Sequence, residues 1–275
     1  QIPPKWNWEG LKGSDVTLPN LFRKAGYQTI HIGKAHFAPK DREGENPLNL
    51  GFDVNVAGTC FGAPGSYYGT RSFGVGSKNL HARPVPHLEK YHGQNIFLTE
   101  ALTLEAKAEI DNAVNASKPF FLHMSHYAVH SPFQSDPRFA KNYQGKSPSL
   151  MAYATMIEGM DKSLGDLIDH IETKGVAENT LIIFLGDNGG DAPDKDLDGI
   201  SSCAPLRGRK GAKWEGGMRV PFIAAWGNVN PGNAFQKDNP IVPNSMRQEF
   251  GTCFDLLPTL CKVAQIKIPK SHKMD

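Results

Sequence analysis

The sequence predicts an α/β fold in which a mainly parallel central sheet carries helices on both faces. Three observations carry this reading. Helix and strand signals alternate along most of the chain. The run Leu181–Leu185, with two adjacent isoleucines, fits a strand buried on both faces of a parallel sheet. Polar residues able to do chemistry fall just after the predicted strands, where open α/β sheets place their ligand crevice.

Size and composition bound the alternatives. The 275 residues, 39% of them hydrophobic, suffice for a substantial core. Thirty Lys and Arg against 28 Asp and Glu leave a net charge of +2, so bulk charge gives no reason to expect nucleic acid or an anionic membrane as partner. The four cysteines, Cys60, Cys203, Cys253 and Cys261, show neither CxxC nor Cys/His zinc spacing; they allow one disulfide and demand none. No apolar run approaches the ~20 residues of a membrane span. The start, QIPPKWNWEG, does not read as a signal peptide, and the chain reads as an excised piece.

In chain order, residues 1–16 form an irregular lead-in rich in Pro, Gly and Trp. Thr17 caps a short helix with Leu18, Leu21, Phe22 and Ala25 on one face, and Gly26 closes it. Residues 27–32 roughly alternate as a strand, followed by Gly33 and then Lys34, Ala35, His36 and Phe37 at its exit. Residues 38–93 show no sustained period and are read as a loop-rich, substrate-facing insertion, because a long irregular stretch in a compact domain is more often functional than idle. Residues 95–114 carry a helical stripe of Phe97, Ala101, Leu104 and Ala108. The strand at 120–124 follows, and His126, Tyr127, His130, Pro132 and Phe133 come after it.

The clearest helix spans 149–174, with Ile157, Met160, Leu164, Leu167, Ile168 and Ile171 at three-four spacing and Gly175 at its end. Leu181–Leu185 then exits into Asp187, Asn188, Gly189 and Gly190, and a polar loop covers 191–203. The segment PLRGRKGAKWEGGMRVPF sets Arg207, Arg209, Lys210 and Lys213 among glycines, as a loop that can close around an anion, before the strand Phe222–Trp226. A last helix is expected at 252–264. No internal repeat is present.

The expected topology gathers Lys34, His36, His130, Asp187 and Asn188 on one edge of the sheet. A carboxylate beside an amide oxygen supplies two of the six or more ligands that calcium takes. Lys34, Lys210, His36 and His130 are donors suited to a tetrahedral oxyanion, and a histidine can also protonate a leaving group. The set points to sulfuryl or phosphoryl transfer with metal-assisted charge stabilisation. Singly, each residue has another reading: Asp187 to Gly190 as a turn, the lysines as solvated surface charges, the histidines as satisfied structural groups.

Four blocks carry a family resemblance. AGYQTIHIGKAHF (25–37) resembles the GYxTxxxGKxH signature of the sulfatases, relatives of alkaline phosphatase. HYAVHSPF (126–133), LIIFLGDNGG (181–190) and PLRGRKGAKWEGGMRVP (205–221) resemble three further blocks in the same order. The resemblance implies an alkaline-phosphatase-like fold, incomplete at both ends, with residues 1–275 as the central and C-terminal part of one catalytic domain. It implies hydrolysis of a sulfate ester, with Asp187 and Asn188 as ligands of Ca2+, Mg2+ being the alternative. Lys34 and Lys210 would contact the sulfate, His130 with Lys210 would bind it and assist leaving-group departure, and His36 would help regenerate the nucleophile.

In the family that nucleophile is a formylglycine made in a C/S-x-P-x-R motif upstream of the GKxH block. The full-length protein is therefore expected to contain formylglycine and this chain to lack it, and to be inactive alone. Cys203 to Arg207 matches C-x-P-x-R but lies on the other side of Asp187, inside the basic block, and reads as a loop cysteine. The aromatic, glycine-rich stretch from Phe61 to Tyr68 resembles carbohydrate-acting members, so a sulfated carbohydrate is the expected substrate, and a periplasmic or secreted location the expected compartment. Two alternatives stand beside this: a phosphodiesterase or phosphonate monoester hydrolase of the same superfamily, or a non-catalytic oxyanion-binding module.

Overall fold

The computed structural model describes residues 9–77, 83–191 and 201–272. The first half of the lead-in and most of the polar loop expected at 191–203 lie outside the described residues. The chain divides into two compact units: one of residues 1–132, 159–167 and 247–275, the other of residues 133–158 and 168–246.

The first unit is built on three parallel strands in the order β2-β1-β3, with β1 (Gln28–Gly33) between β2 (Val54–Val56) and β3 (Phe120–Ser125). Helix α1 (Leu18–Lys24) starts where Thr17 Oγ1 accepts the Asn20 N–H, with Pro19 in its first turn and Arg23 and Lys24 in its last. Although residues 27–32 roughly alternate in polarity, β1 is buried from Thr29 to Gly33. Its polar residues are inside because they are bonded: Thr29 Oγ1 donates to the Gly51 carbonyl at 2.8 Å and lies 3.0 Å from Asp53 Oδ2. His31 is bonded likewise.

Helix α2 (Leu98–Asn115) lies close to the expected bounds but buries a different face. Leu104 is 44% exposed, whereas Leu98, Ala101, Leu102, Ala106 and Ile110 are buried. Polar anchors set this rotation: Thr103 Oγ1 lies 2.6 Å from Ser163 Oγ, and buried Glu105 accepts the Tyr91 hydroxyl at 2.5 Å. The loop-rich segment 38–93 packs many of its side chains inward: Leu50, Ala57, Tyr67, Phe73, Val85 and Leu88 are each at most 1% exposed. It also contains β2, which was too short to show a period. Helix α6 (Leu256–Val263), preceded by a capping box of Thr252 and Asp255, packs against α1.

In the second unit, α3 (Pro148–Thr173) begins with Ser147 Oγ accepting the Leu150 N–H and Pro148 in the first turn. Its residues 159–167 belong to the first unit. Ile157, assigned to the apolar stripe, is 42% exposed, and the neighbouring Ala152, Thr155 and Met156 are buried instead. Strand β4 (Leu181–Leu185) has the expected bounds but a different environment. It pairs antiparallel with β5 (Phe222–Trp226), from Leu181↔Trp226 to Leu185↔Phe222. The connection between them contains, among its described residues, only the four-residue α4 (Glu215–Met218), too short to act as the crossover that a parallel pairing needs. Phe184, Leu185, Phe222 and Ile223 are exposed, so β4 is not buried on both faces. The short α5 (Ala234–Asp238) is capped by Asn233 and packs Phe235 edge-on against Trp226.

The buried imidazoles give a testable consequence. Burial, and then the neighbouring His123, lower the pKa of His31 to about 3, and burial lowers His123 and His126 each to about 4. Histidines in the unfolded chain titrate near 6.5. Below that pH the unfolded state takes up protons that the folded state refuses. Stability is thus complete above about pH 6.5 and declines as the pH falls toward 4. Urea midpoints should therefore drop between pH 7 and 5, His31 alone contributing at most about 1.4 kcal/mol per pH unit, and His31→Phe should flatten the decline. A midpoint constant over that range would contradict the burial of these rings.

Candidate functional site

In the first unit the exit of β1 is fixed by a close approach. Gly33 has φ +103°, and a Cβ there would stand 1.9 Å from the Ser125 carbonyl oxygen, so no other residue fits. The same oxygen accepts the Lys34 N–H at 2.7 Å. Lys34 is half-buried, and two residues later the chain turns through His36 at φ +55°. The His36 N–H donates to Thr59 O at 2.9 Å, and Gly62 leaves room for its ring: a Cβ there would be 2.6 Å from Nδ1. Thr59 and Gly62 belong to the 38–93 segment, which borders the site here through its backbone. Burial lowers the pKa of His36, and the charges of Lys34 and His130 lower it further. His36 therefore lies within electrostatic reach of both Lys34 and His130.

His130 stands after β3 and is held by its backbone. The hydroxyl of Tyr67, fully buried, shares its one proton between the Tyr127 carbonyl at 2.7 Å and the His130 carbonyl at 2.8 Å. Tyr127, 1% exposed, donates in turn to Ala57 O at 2.8 Å. Burial raises the pKa of both phenols, so both remain donors. The His130 ring places Nδ1 2.9 Å from the Ser131 carbonyl, which can only accept, and 3.3 Å from the Ser131 hydroxyl; the shorter contact is made when Nδ1 carries the proton. His126 Nδ1 is buried with no hydrogen-bond partner among the described residues.

In the second unit β4 delivers Asp187, exposed, and Asn188, half-buried. The Asn188 Nδ2 donates to Gly189 O at 2.8 Å, which leaves its Oδ1 as the acceptor end of the amide. Both following glycines are sterically required: a Cβ on Gly189 would lie 1.8 Å from Gly216 O, and one on Gly190 2.3 Å from Ser201 O. The basic loop is tied to this turn, for the Lys210 N–H donates to Gly190 O at 3.0 Å and the Gly189 N–H to Gly217 O at 3.0 Å. Lys210 Nζ lies 3.8 Å from Asp191, and Arg207 stacks 3.9 Å over the Trp214 ring. Cys203 accepts the Gly190 N–H at 3.1 Å and is unpaired, like the other three cysteines.

A carboxylate and an amide oxygen suit a hard cation but fill only two of its positions. No group of three or more His, Cys, Asp or Glu able to hold a metal occurs among the described residues. The expected gathering thus resolves into Lys34, His36 and His130 in one unit, and Asp187, Asn188 and Lys210 in the other. Tyr67, Tyr127 and the His31–His123 pair were not found by sequence reasoning. Tyr67 sits in a stretch without periodicity, so nothing in the sequence set it apart.

The first unit thus presents an ammonium and two imidazoles after two adjacent parallel strands of an α/β sheet. The chain belongs to the Sulfatase family, whose profile matches residues 2–266. It is similar to the N-acetylgalactosamine-6-sulfatase of Mus musculus, 26% identical over 275 residues covering 97% of this chain and 48% of that protein. It is also similar to a sulfatase of Formosa agariphila, 28% identical over 311 residues covering 96% of this chain and 53% of that one. Among solved structures, Ps i-CgsB in complex with k-i-k-neocarrahexaose superposes with a TM-score of 0.77 at 26% identity, over 98% of this chain and 58% of that chain. The chain spans about half the length of the curated relatives it matches. The fold is that of the sulfatases, an α/β architecture of the alkaline-phosphatase type.

The Tyr67 clamp is directly testable. Tyr67→Phe keeps the ring and removes the proton that a buried and a partly buried carbonyl share, so chemical denaturation should show a loss of about 1–3 kcal/mol. An unchanged midpoint would mean that those carbonyls do not depend on Tyr67.

Proposed function

We propose that this chain is the central and C-terminal part of a catalytic domain that hydrolyses a sulfate ester, releasing an alcohol and inorganic sulfate. The observation that carries the reading is the cluster of Lys34, His36 and His130 at the exits of adjacent parallel strands in a member of the Sulfatase family. The substrate we propose is a sulfated carbohydrate. This is supported by the names of relatives, among them the N-acetylgalactosamine-6-sulfatases, and by the k-i-k-neocarrahexaose bound to a similar structure.

In this reading the Lys34 ammonium faces the sulfate oxygens and stabilises charge that grows as the S–O bond breaks. Lys210 does the same, exchanging its long, exposed pairing with Asp191 for the sulfate. His130, oriented through Nδ1 by Ser131 O, gives a proton from Nε2 to the departing alkoxide. His36, whose pKa is lowered, stays neutral at pH 7 and is able to accept a proton when the nucleophile is regenerated. Asp187 and Asn188 would hold a Ca2+ or Mg2+ ion through oxygen, and such an ion would neutralise part of the sulfate charge. The remaining ligands and a formylglycine nucleophile would come from the part of the protein beyond this chain. A periplasmic or secreted location accompanies the proposal; among the described residues no helix is long and apolar enough to cross a membrane.

Turnover by the full-length protein separates this from phosphate chemistry. An aryl sulfate should be hydrolysed faster than the matching aryl phosphate, and the reverse order would sink the assignment. In the same assay Asp187→Ala should reduce turnover by more than about a hundredfold, since a metal contributes several kcal/mol of charge stabilisation. Undiminished activity would refute the metal role.

A further inference from the structure

His31 and His123 take no part in the proposed chemistry, yet they form a connected pair beneath it. They face each other in register across β1 and β3, with their Nδ1 atoms 3.0 Å apart. Two bare ring nitrogens do not meet at that distance, so one of them carries the proton. The other nitrogen of His31 decides which. Its Nε2 lies 3.1 Å from the Gly33 carbonyl oxygen, which can only accept. His31 Nε2 is therefore the donor, its Nδ1 is bare in the neutral ring, and His123 donates from Nδ1.

The rings pack against aromatic walls, with His31 fully buried and His123 half-buried. His31 lies 5.4 Å from the Phe37 ring and 5.3 Å from Phe52, while His123 lies 6.1 Å and 6.2 Å from the same two. Leucine or phenylalanine would suit these walls without the desolvation penalty of an imidazole, so the bonds are what two histidines add. Their end point is one peptide plane. The Gly33–Lys34 peptide is held at its oxygen by His31 and at its N–H by the Ser125 carbonyl, 2.7 Å away. That plane fixes the direction in which Lys34 leaves the strand. Gly33, with its positive φ, has the conformational freedom that such an anchor removes.

We propose that the His123–His31 pair is a positioning relay: through the Gly33 carbonyl it locks the Gly33–Lys34 peptide and so aims the Lys34 ammonium at the sulfate oxygens. The relay rests on the reading of Lys34 as a sulfate contact. His31 and His123 touch no substrate; they act through the backbone.

The test uses the full-length protein, an aryl sulfate substrate and inorganic sulfate as competing anion. His31→Phe keeps the ring volume and removes the donor. It should weaken sulfate inhibition and raise KM by between about threefold and tenfold, the size of one hydrogen bond, with a smaller change in kcat. His31→Gln, whose amide N–H reaches toward the Nε2 position, should recover most of the loss, and His123→Phe should fall between the two. In a Lys34→Met background His31→Phe should have no further effect on sulfate affinity. Nitrogen-15 spectra of the wild-type protein at neutral pH should show His31 protonated at Nε2 and His123 at Nδ1.

Fully additive effects of His31→Phe and Lys34→Met on sulfate affinity, or the opposite pair of tautomers, would overturn the relay while leaving Lys34 as a sulfate contact. Lys34→Met without effect on sulfate inhibition would overturn both. Should His31→Phe fail to fold, His123→Phe and the tautomer spectrum carry the decision.

Discussion

The approach of Gly33 to the carbonyl of Ser125 is the contact on which the first unit's half of the site depends. It closes the last step of the β1–β3 register, forbids any side chain at residue 33, and gives the Lys34 N–H its acceptor. A parallel pair brings the carboxyl ends of two strands to the same edge, and this pair does so without a register shift. Lys34 and His36 therefore leave β1 where the chain toward His130 leaves β3. The lowering of His36 basicity by the charges of Lys34 and His130 follows from that placement.

Around this contact the fold spends polar groups in the interior to hold backbone in place. Tyr67 gathers the carbonyls of Tyr127 and His130, Tyr127 reaches Ala57, and Thr29 ties Gly51 and Asp53 to the central strand. Buried polar networks stabilise only when each member is satisfied, and these are. In the second unit the same task falls to glycines rather than tyrosines. Gly189, Gly190, Gly216 and Gly217 let the turn after β4 and the basic loop approach to backbone contact. Asp187, Asn188 and Lys210 are thereby presented from a tied framework.

How much was legible depended on the kind of signal. Strands β4 and β5 were placed residue for residue, because an apolar run bounded by turn residues marks its own ends. Thr17 as the cap of α1 was readable from local chemistry alone. The pairing of β4 was not, since direction is set by the connection between strands and not by the strand's composition. The buried face of α2 was misplaced because Thr103 and Glu105, polar by type, are inside through partners distant in sequence. The 38–93 segment read as loop-rich for the same reason: its order comes from Tyr67, Phe73 and Leu88 packing inward, which leaves no period to detect. Of the candidate site, the strand-exit residues were legible from position, while their supports were not. A clamp such as Tyr67 is defined by the carbonyls it meets, and these lie 60 or more residues away.

The proposed chemistry requires Lys34, His36 and His130 to act as one oxyanion-binding cluster. The titration of His36, followed by the chemical shift of its ring proton in the full-length protein, tests this most directly. His36 should titrate below the ordinary histidine value near 6.5, move upward when Lys34→Met removes the neighbouring charge, and move upward in the wild type when inorganic sulfate is added. A His36 that titrates at or above 6.5, unmoved by either change, would contradict the cluster.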